Sequence, residues 1–467
     1  MDKRNFWVHF GIAAILIGMA AIAGTLIRNI GNIEYSEDNP VRKPVSMVRE
    51  AKETEPEVLV RFKPDVSFAE IKKITGKNND SIEDEIENVK NLISIDDLDN
   101  ANAEDVAIQY GKMSDVVLYA EPNFKIELDP VGDISPVRAP FDGQQTPNDP
   151  LFGEQWALNN KGQGGGKAKA DISALRAWLK SRGSEDVVVA VLDTGVDYSH
   201  VDLSENIWFR PDNIAPYTDD ELGTIDDKNG YDADANDGDP MDDNGHGTHC
   251  AGIIGAEGNN GEGITGVNWK VEIMPLKFLG SGGFGSTKNA IEAINYAIDR
   301  KKAGVNIRVI NASWGSTMYS KALEDAIRAA GEQGILFVAA AGNNSTDNDG
   351  RPHYPSNYDL PNVISVAALD RNDELASFSN FGAKTVHIAA PGKEIVSTWL
   401  NGQYREASGT SMATPQVAGI AALLISGNPD IDVAALRAKL LGSVDALDSL
   451  TGKVENGGRI NAEKALD

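Results

Sequence analysis

The chain has 467 residues, with 43 Lys and Arg against 70 Asp and Glu, and a formal net charge of −27. Hydrophobic residues make up 41% and charged residues 24%, which indicates a globular chain of one to three domains and excludes a disordered one. Because nucleic acid binds mainly through Lys and Arg, this acidity argues against a nucleic-acid partner. The single cysteine, Cys250, excludes an intrachain disulfide, so an exported form depends on its core, with or without metal.

The N-terminus has the pattern of an export signal. Two early cations, Lys3 and Arg4, precede a long apolar stretch without formal charges. A small-x-small pattern ending at Ala23 offers a signal-peptidase site, but the stretch is also long enough for a retained anchor. We expect residues 1–27 to be a signal peptide or a signal anchor. The protein would then be secreted or extracytoplasmic, and membrane-anchored before processing if the anchor is kept.

Three segments that differ in composition and in hydrophobic pattern follow. Residues 28–56 are polar and rich in Glu, Lys and Pro, which is typical of a linker. Residues 57–128 alternate between strand-like and helix-like spacing and predict a small α+β unit, called the N-terminal unit below. Residues 129–150 are rich in Pro, Gly, Asp and Asn, which predicts an exposed, cleavable linker.

After residue 186, continuous apolar strands alternate with amphipathic helices. Strand-like runs occur at 187–192, 271–274, 307–310, 335–338 and 363–366, with helical spacing at 287–300 and 321–332. Apolar strands that alternate with helices predict a mostly parallel sheet covered on both faces, which is a doubly wound α/β fold.

Three short motifs carry the chemistry. Asp193 follows an apolar strand, His246 lies in the stretch NGHGTH, and Ser411 lies in SGTSMATP at the start of a predicted helix. A serine hydroxyl is a poor nucleophile unless a base takes its proton, and that base needs a carboxylate to orient it. The order Asp, His, Ser is one of the chain orders in which such triads occur.

In this order and context the motifs resemble those of the subtilases, the subtilisin-like serine proteases. The resemblance covers nearly the whole chain after Asn148. It implies a subtilisin-like peptidase domain over 151–467, with a small ferredoxin-like α+β propeptide before it. It implies that Asp193, His246 and Ser411 are catalytic. It also implies that Asn343, in AAAGN, donates its side-chain amide to the oxyanion.

The resemblance also implies where a polypeptide substrate binds. It would add a strand between two segments, since backbone pairing is a common mode of peptide recognition. The residues implied are Gly283, Phe284 and Gly285 on one side and Ser313, Trp314 and Gly315 on the other. Trp314 stands where a smaller apolar residue is common in the family, which leaves the shape of the pocket open.

Two acidic regions are candidate calcium sites, because calcium takes oxygen ligands and crowded carboxylates repel one another without a cation. By resemblance, the better defined site has the ligands Asp202, Asn260 and the carbonyls of Glu262 and Ile264. The second lies on the acidic loop before His246, with the candidates Asp232, Asp237, Asp239 and Asp242. A weaker cation site of the family is expected to be absent or altered, since His387 lies in the segment that often carries aspartate.

The remaining implications concern maturation. Subtilases are made as precursors, so residues 57–128 are expected to be an inhibitory propeptide that also helps folding. Self-cleavage is expected within 126–152, and the mature enzyme is expected to be a monomer. Cys250 is expected to be structural, because a small buried hydrophobe is the commoner role for such a cysteine.

Three functions fit these residues. The first is a calcium-stabilised, exported serine endopeptidase made as a self-processing zymogen. The second is a catalytically inactive subtilase fold that acts as a calcium-dependent binding protein, which the presence of all three triad residues and Asn343 disfavours. The third is a processing protease of narrow specificity like the kexins, which usually carry a further β-domain after the catalytic one.

Overall fold

The structure is a computed structural model that describes residues 57–99, 101–132, 134–136, 146–219 and 221–467. The predicted signal or anchor (1–27) and the first predicted linker (28–56) lie outside these residues. In the part of the chain that is described, no helix combines the length and the apolar character needed to cross a membrane.

The N-terminal unit has the order β-α-β-β-α-β. Its elements are β1 (Glu57–Phe62), β2 (Asp80–Ile86), β3 (Leu92–Asp97), β4 (Val117–Pro122), α1 (Phe68–Asn78) and α2 (Ala103–Gly111). The sheet order is β2-β3-β1-β4, and all neighbours are antiparallel. This is the ferredoxin-like arrangement, so the prediction for the fold of this unit is confirmed.

The rest of the described chain contains further strands and helices. The strands are β5 (Lys125–Glu127), β6 (Ser135–Pro136), β7 (Gly183–Asp193), β8 (Tyr217–Asp219), β9 (Gly223–Ile225), β10 (Tyr231–Asp232), β11 (Lys270–Lys277), β12 (Phe284–Ser286), β13 (Ile307–Ala312), β14 (Leu336–Ala340), β15 (Val363–Leu369), β16 (Ile388–Pro391), β17 (Ile395–Trp399), β18 (Gln403–Ala407), β19 (Val444–Ala446) and β20 (Gly458–Ile460). The helices are α3 (Ala174–Ala177), α4 (His246–Gly255), α5 (Thr287–Lys302), α6 (Lys321–Glu332), α7 (Thr410–Gly427), α8 (Val433–Gly442) and α9 (Ala462–Ala465).

The central sheet has the order β10-β11-β7-β13-β14-β15-β16-β20-β19 and is parallel except for the last pair. β7, an interior strand of this sheet, is apolar on both faces because both faces are covered. Val187, Val189 and Val191 pack with residues of α4 and α7. The alternate residues, such as Val188 and Ala190, pack with residues of α5 and α6. The prediction of a doubly wound, mostly parallel sheet is therefore confirmed.

The N-terminal unit packs against α5 and α6. Leu59, Ile86 and Leu92 belong to the same buried cluster as the apolar residues of these two helices. The carboxylate of Glu121 caps the start of α6, where it accepts from the backbone N–H groups of Lys321 at 2.9 Å and of Ala322 at 3.1 Å. A carboxylate at this end of a helix satisfies free N–H groups and is favoured by the helix dipole.

Candidate active site

Asp193, the first candidate catalytic residue, is the last residue of β7, at the carboxyl end of the central parallel strands. Reactive groups gather at this edge of open parallel sheets. Its carboxylate is fully buried, and Oδ1 lies 2.7 Å from Nδ1 of His246. A carboxylate at this distance holds the imidazole and favours the tautomer with its proton on Nδ1.

His246 begins α4, directly after Gly245. Gly245 has φ of +108°, and a Cβ there would lie 2.5 Å from the ring of Trp399, so glycine is required for two reasons. Burial opposes the charged imidazolium, but the charge and hydrogen bond of Asp193 outweigh it and raise the pKa of His246. Nε2 of His246 has no hydrogen-bond partner among the described residues, which leaves it available as a base.

Ser411 lies in the first turn of α7, and its hydroxyl donates to the carbonyl of Ser313 at 2.9 Å. Asn343 is held against the same turn. Its Oδ1 accepts from the backbone N–H of Thr410 at 2.8 Å and from the Thr410 hydroxyl at 2.9 Å. Because two donors fix the amide oxygen, Nδ2 must point the other way. It donates to the backbone carbonyl of Pro130 at 3.0 Å.

A segment of the chain itself lies in the candidate substrate cleft. β5 pairs antiparallel with β12, and the N–H of Leu128 donates to the carbonyl of Gly283 at 3.0 Å. On its other side, Glu127 forms an antiparallel bridge with Gly315. The segment therefore runs as an extra strand between the two predicted substrate-binding segments and continues to Pro130, beside Asn343.

The comparisons with known proteins agree with this geometry. The sequence model of the protein family described as the Subtilase family matches residues 184–458 of this chain. The chain belongs to the subtilase family. It is 35% identical to the thermophilic serine proteinase of Bacillus sp. (strain AK1) over 88% of this chain and 87% of that protein. It is 36% identical to thermitase of Thermoactinomyces vulgaris over 69% of this chain and 99% of thermitase.

The fold is also similar to a solved subtilase structure. Fervidolysin from Fervidobacterium pennivorans, described as a keratinolytic enzyme related to subtilisin, matches with a TM-score of 0.68 and 26% identity. The match covers 90% of this chain and 62% of the fervidolysin chain. Together these relationships identify this subtilase as a serine protease.

Cys250 of this subtilase lies one turn after His246, and its Sγ is 3.5 Å from the carbonyl oxygen of Ser411. Complete burial raises the pKa of the thiol well above its ordinary value, with the charge of Asp193 adding to the effect. The thiol therefore stays protonated at neutral pH, which makes it unsuited to act as a nucleophile or a metal ligand.

The indole ring of Trp314 is held by contacts with the core. Its side chain is fully buried, donates from Nε1 to the carbonyl of Leu192 at 2.9 Å, and packs on Phe278 with ring centroids 4.7 Å apart. The next residue, Gly315, is the one that bridges to Glu127 of the segment in the cleft.

The first candidate calcium loop brings Asp202 and Asn260 together. One oxygen of Asp202 accepts from Nδ2 of Asn260 and the other from the N–H of Ile264, each at 2.9 Å. The N–H of Glu262 donates to Oδ1 of Asn260 at 2.9 Å. Asp149, which sequence reasoning did not assign to this loop, accepts from the N–H of Asn260 and is fully buried.

Burial disfavours the charged form of both carboxylates of this loop. Burial raises the pKa of Asp202 to about 6, and the charge of Asp149 contributes. Burial likewise raises the pKa of Asp149 to about 6. Two buried carboxylates close to an amide side chain are residue types that bind a hard cation, and a cation would offset the cost of burying both charges.

The second candidate loop is divided by the structure. Asp232 and Asp237 face each other through two backbone hydrogen bonds, and Asp239 accepts from the hydroxyl of Tyr198 at 2.7 Å. Burial raises the pKa of Asp232 to about 6. Asp242 has different partners, since five donors from Thr194, Asn244, Gly245 and Thr248 surround its carboxylate. A cation at Asp242 would have to displace them.

His353 is a second residue that sequence reasoning did not assign to the site. Its Nε2 lies 3.1 Å from the carboxylate of Asp129, and both side chains are buried. The two residues are 224 positions apart, so no local pattern could have linked them.

Proposed function

We propose that this subtilase is an exported serine endopeptidase made as a self-processing zymogen. The N-terminal unit is its propeptide, which acts as a folding template and as an inhibitor. The observation that carries the proposal is the hydrogen bond from Asn343 to the carbonyl of Pro130, because it holds a peptide carbonyl of the chain itself beside Ser411. Export is supported by the apolar N-terminal stretch after Lys3 and Arg4.

The inhibitory role is supported by the way the segment occupies the cleft. It continues directly from the N-terminal unit and pairs with both strands on which a substrate would lie. A polypeptide substrate could bind there only after this segment leaves. The protease would therefore stay inactive toward other proteins until the segment is cut and released.

The folding role is supported by the position of the N-terminal unit. Parallel sheets pair strands that are distant in sequence, so loop-closure entropy slows their folding. The unit packs on α5 and α6, and Glu121 caps α6. A preformed surface that holds these two helices would lower the entropic barrier to forming the sheet beneath them.

The proposed reaction is acyl transfer. The hydroxyl of Ser411 attacks the carbonyl carbon of the peptide bond while its proton passes to Nε2 of His246, and Asp193 stabilises the imidazolium. The side-chain amide of Asn343 and the backbone N–H of Ser411 stabilise the oxyanion. His246 then gives the proton to the leaving amine. Water hydrolyses the acyl-enzyme by the same steps and releases the carboxylate product.

We also propose that Asp149, Asp202 and Asn260, with the carbonyls of Glu262 and Ile264, hold calcium, as the predicted ligand set and the two buried carboxylates suggest. When bound, the ion would offset the charge of both carboxylates and tie residues 148–150 to the loop at 260–264. The acidic loop with Asp232, Asp237 and Asp239 is a second proposed site, with Asp242 in a structural role beside it.

The test of the proposed function compares the full chain with its Ser411→Ala variant, expressed in calcium and analysed by mass spectrometry. We expect the wild type to be cut within 126–152 and then to digest casein, and the variant to stay intact. Equal cutting of both chains would assign maturation to another protease. Two intact and inert chains, each with a cooperative melting transition, would instead favour a binding protein.

A further inference from the structure

Asp129 and His353 form a buried pair beside the candidate active site. Nε2 of His353 lies 3.1 Å from Oδ2 of Asp129, and the side chains are 3% and 8% exposed, respectively. We propose that His353 is the residue that determines specificity, and that it selects substrates with a carboxylate side chain, aspartate first, on the acyl side of the cleaved bond. This inference names the substrate class of the proposed endopeptidase and rests on that function.

The position of Asp129 relative to the reacting groups supports this role. It directly precedes Pro130, whose carbonyl accepts from Asn343, and it directly follows Leu128, whose N–H pairs with Gly283. The side chain in the pocket thus belongs to one of the last two residues before the bond that is presented to Ser411. The cut positions in a peptide mixture would identify which of the two it is.

The pocket is built closely around the imidazole ring. A Cβ added at Gly315 would overlap Cε1 of His353, and one added at Gly342 would lie 3.0 Å from Cδ2. Gly315 belongs to the strand that pairs with the segment in the cleft, and Gly342 directly precedes Asn343. His353 therefore lies between Gly315, which bridges to the segment in the cleft, and Gly342, which precedes the amide donor, and the side chain of Asp129 reaches it there.

The backbone around His353 is also held in place. Tyr354 and Ser316 exchange two backbone hydrogen bonds of 2.7 and 2.8 Å. The N–H of His353 donates to the side chain of Asn357 at 3.2 Å, and its carbonyl accepts from the hydroxyl of Ser356 at 2.7 Å. A ring fixed by packing and by its own backbone cannot turn away readily when an unsuitable side chain enters.

The chemistry of the pair favours a carboxylate in the pocket. A buried carboxylate needs a hydrogen-bond donor, and among the described residues His353 is the one cation-forming side chain recorded within 4 Å of Asp129. An apolar side chain would instead leave Nε2 buried without a partner. The free-energy cost of such an orphaned group corresponds to a loss of about tenfold to hundredfold in kcat/KM.

The experiment uses the mature enzyme and two kinds of substrate. A peptide mixture of defined composition, analysed by mass spectrometry, gives the cut positions. Peptides that differ only in Asp, Asn or Leu at the selected position then give kcat/KM. We expect kcat/KM for Asp to exceed that for Asn and Leu by at least about tenfold. His353→Leu should abolish this preference, while His353→Lys, which places an ammonium donor at the same position, should retain a preference for Asp.

The outcomes separate this inference from the proposed function. If no peptide and no casein is cut, the proposed endopeptidase fails. If peptides are cut with an apolar preference, or if His353→Leu leaves the ratio unchanged, the role of His353 is overturned and the endopeptidase stands. If His353→Leu fails to mature, the wild-type enzyme still provides the test. A ratio near one between its kcat/KM values for the Asp and Asn peptides overturns the inference by itself.

Discussion

Asp242 and Thr248 are joined by two hydrogen bonds. One oxygen of the Asp242 carboxylate accepts from the backbone N–H of Thr248 at 2.9 Å and from its hydroxyl at 2.6 Å. The other oxygen accepts from the hydroxyl of Thr194, the residue after Asp193. A single buried carboxylate therefore connects the strand that carries Asp193 to the helix that begins with His246.

We expect Asp242→Asn to impair both stability and catalysis. The amide NH₂ would face N–H and O–H donors that need an acceptor, which leaves buried groups unsatisfied at a cost of about 3 kcal/mol. A lower melting temperature together with a kcat at least about tenfold lower is expected for the mature variant. Asp212→Asn, at an exposed position, serves as the control. An unchanged melting temperature and kcat for Asp242→Asn would show that the hydrogen bonds of the Asp242 carboxylate do not position His246.

Asn343→Ala should lower kcat with little change in KM. The amide is expected to act on the oxyanion, which exists only after attack, so its loss raises the barrier rather than weakening substrate binding. We expect a loss of about 10²–10³-fold in kcat, the size known for the side-chain donor of subtilisin itself. The neighbouring exposed Asn344 provides a matched control as Asn344→Ala. Equal losses in the two variants would contradict the assignment.

Binding of the N-terminal unit after cleavage should weaken as the pH rises. Glu87 stays partly open to solvent in the docked state, but its partial desolvation and the nearby charges of Asp219 and Asp84 raise its pKa to about 7, while a fully solvated glutamate titrates near 4.3. The docked unit therefore holds a proton that the free unit has lost between these two pH values. The contribution of Glu87 to docking is fully present below about pH 4.3 and is lost progressively as the pH rises to about 7.

The measurement is the fraction of the cleaved unit that co-elutes with the protease in size-exclusion chromatography at pH 5 and pH 8. We expect more complex at pH 5, and a smaller difference for Glu87→Gln than for the wild type. Glu104→Gln, an exposed substitution on α2, should behave like the wild type. A wild-type complex that releases its N-terminal unit more readily at pH 5 than at pH 8 would contradict the predicted direction of the pH dependence.

Calcium should raise the melting temperature of the mature enzyme. A cation that binds only the folded state adds about 2.7 kcal/mol of stability at a concentration 100 times its Kd. We expect Asp149→Asn and Asp202→Asn to reduce this shift, because each removes a charged ligand. Asp430→Asn, an exposed substitution outside both proposed sites, is the control. A melting temperature that neither calcium nor a chelator changes would exclude the proposed sites.

Much of the fold could be predicted from short-range patterns. Continuous apolar runs predicted the central strands, and 3.6-residue spacing predicted the helices at 287–300 and 321–332, close to the observed Thr287–Lys302 and Lys321–Glu332. The strands β2 and β3 were not predicted. β2 is rich in Asp and Glu, and β3 is a short run that ends in two aspartates, so pairing with β1 and with each other makes them strands more than composition does.

The sequence by itself determined the family and the chemistry, because the motifs around Asp193, His246 and Ser411 are local. The tertiary structure alone decided which distant groups meet. It placed Asp149 against Asn260, turned Trp314 into the core, and set Asp129 against His353. These relationships depend on the order of strands in the sheet and on the path of residues 125–130 through the cleft. Side-chain spacing along the chain carries no information about either.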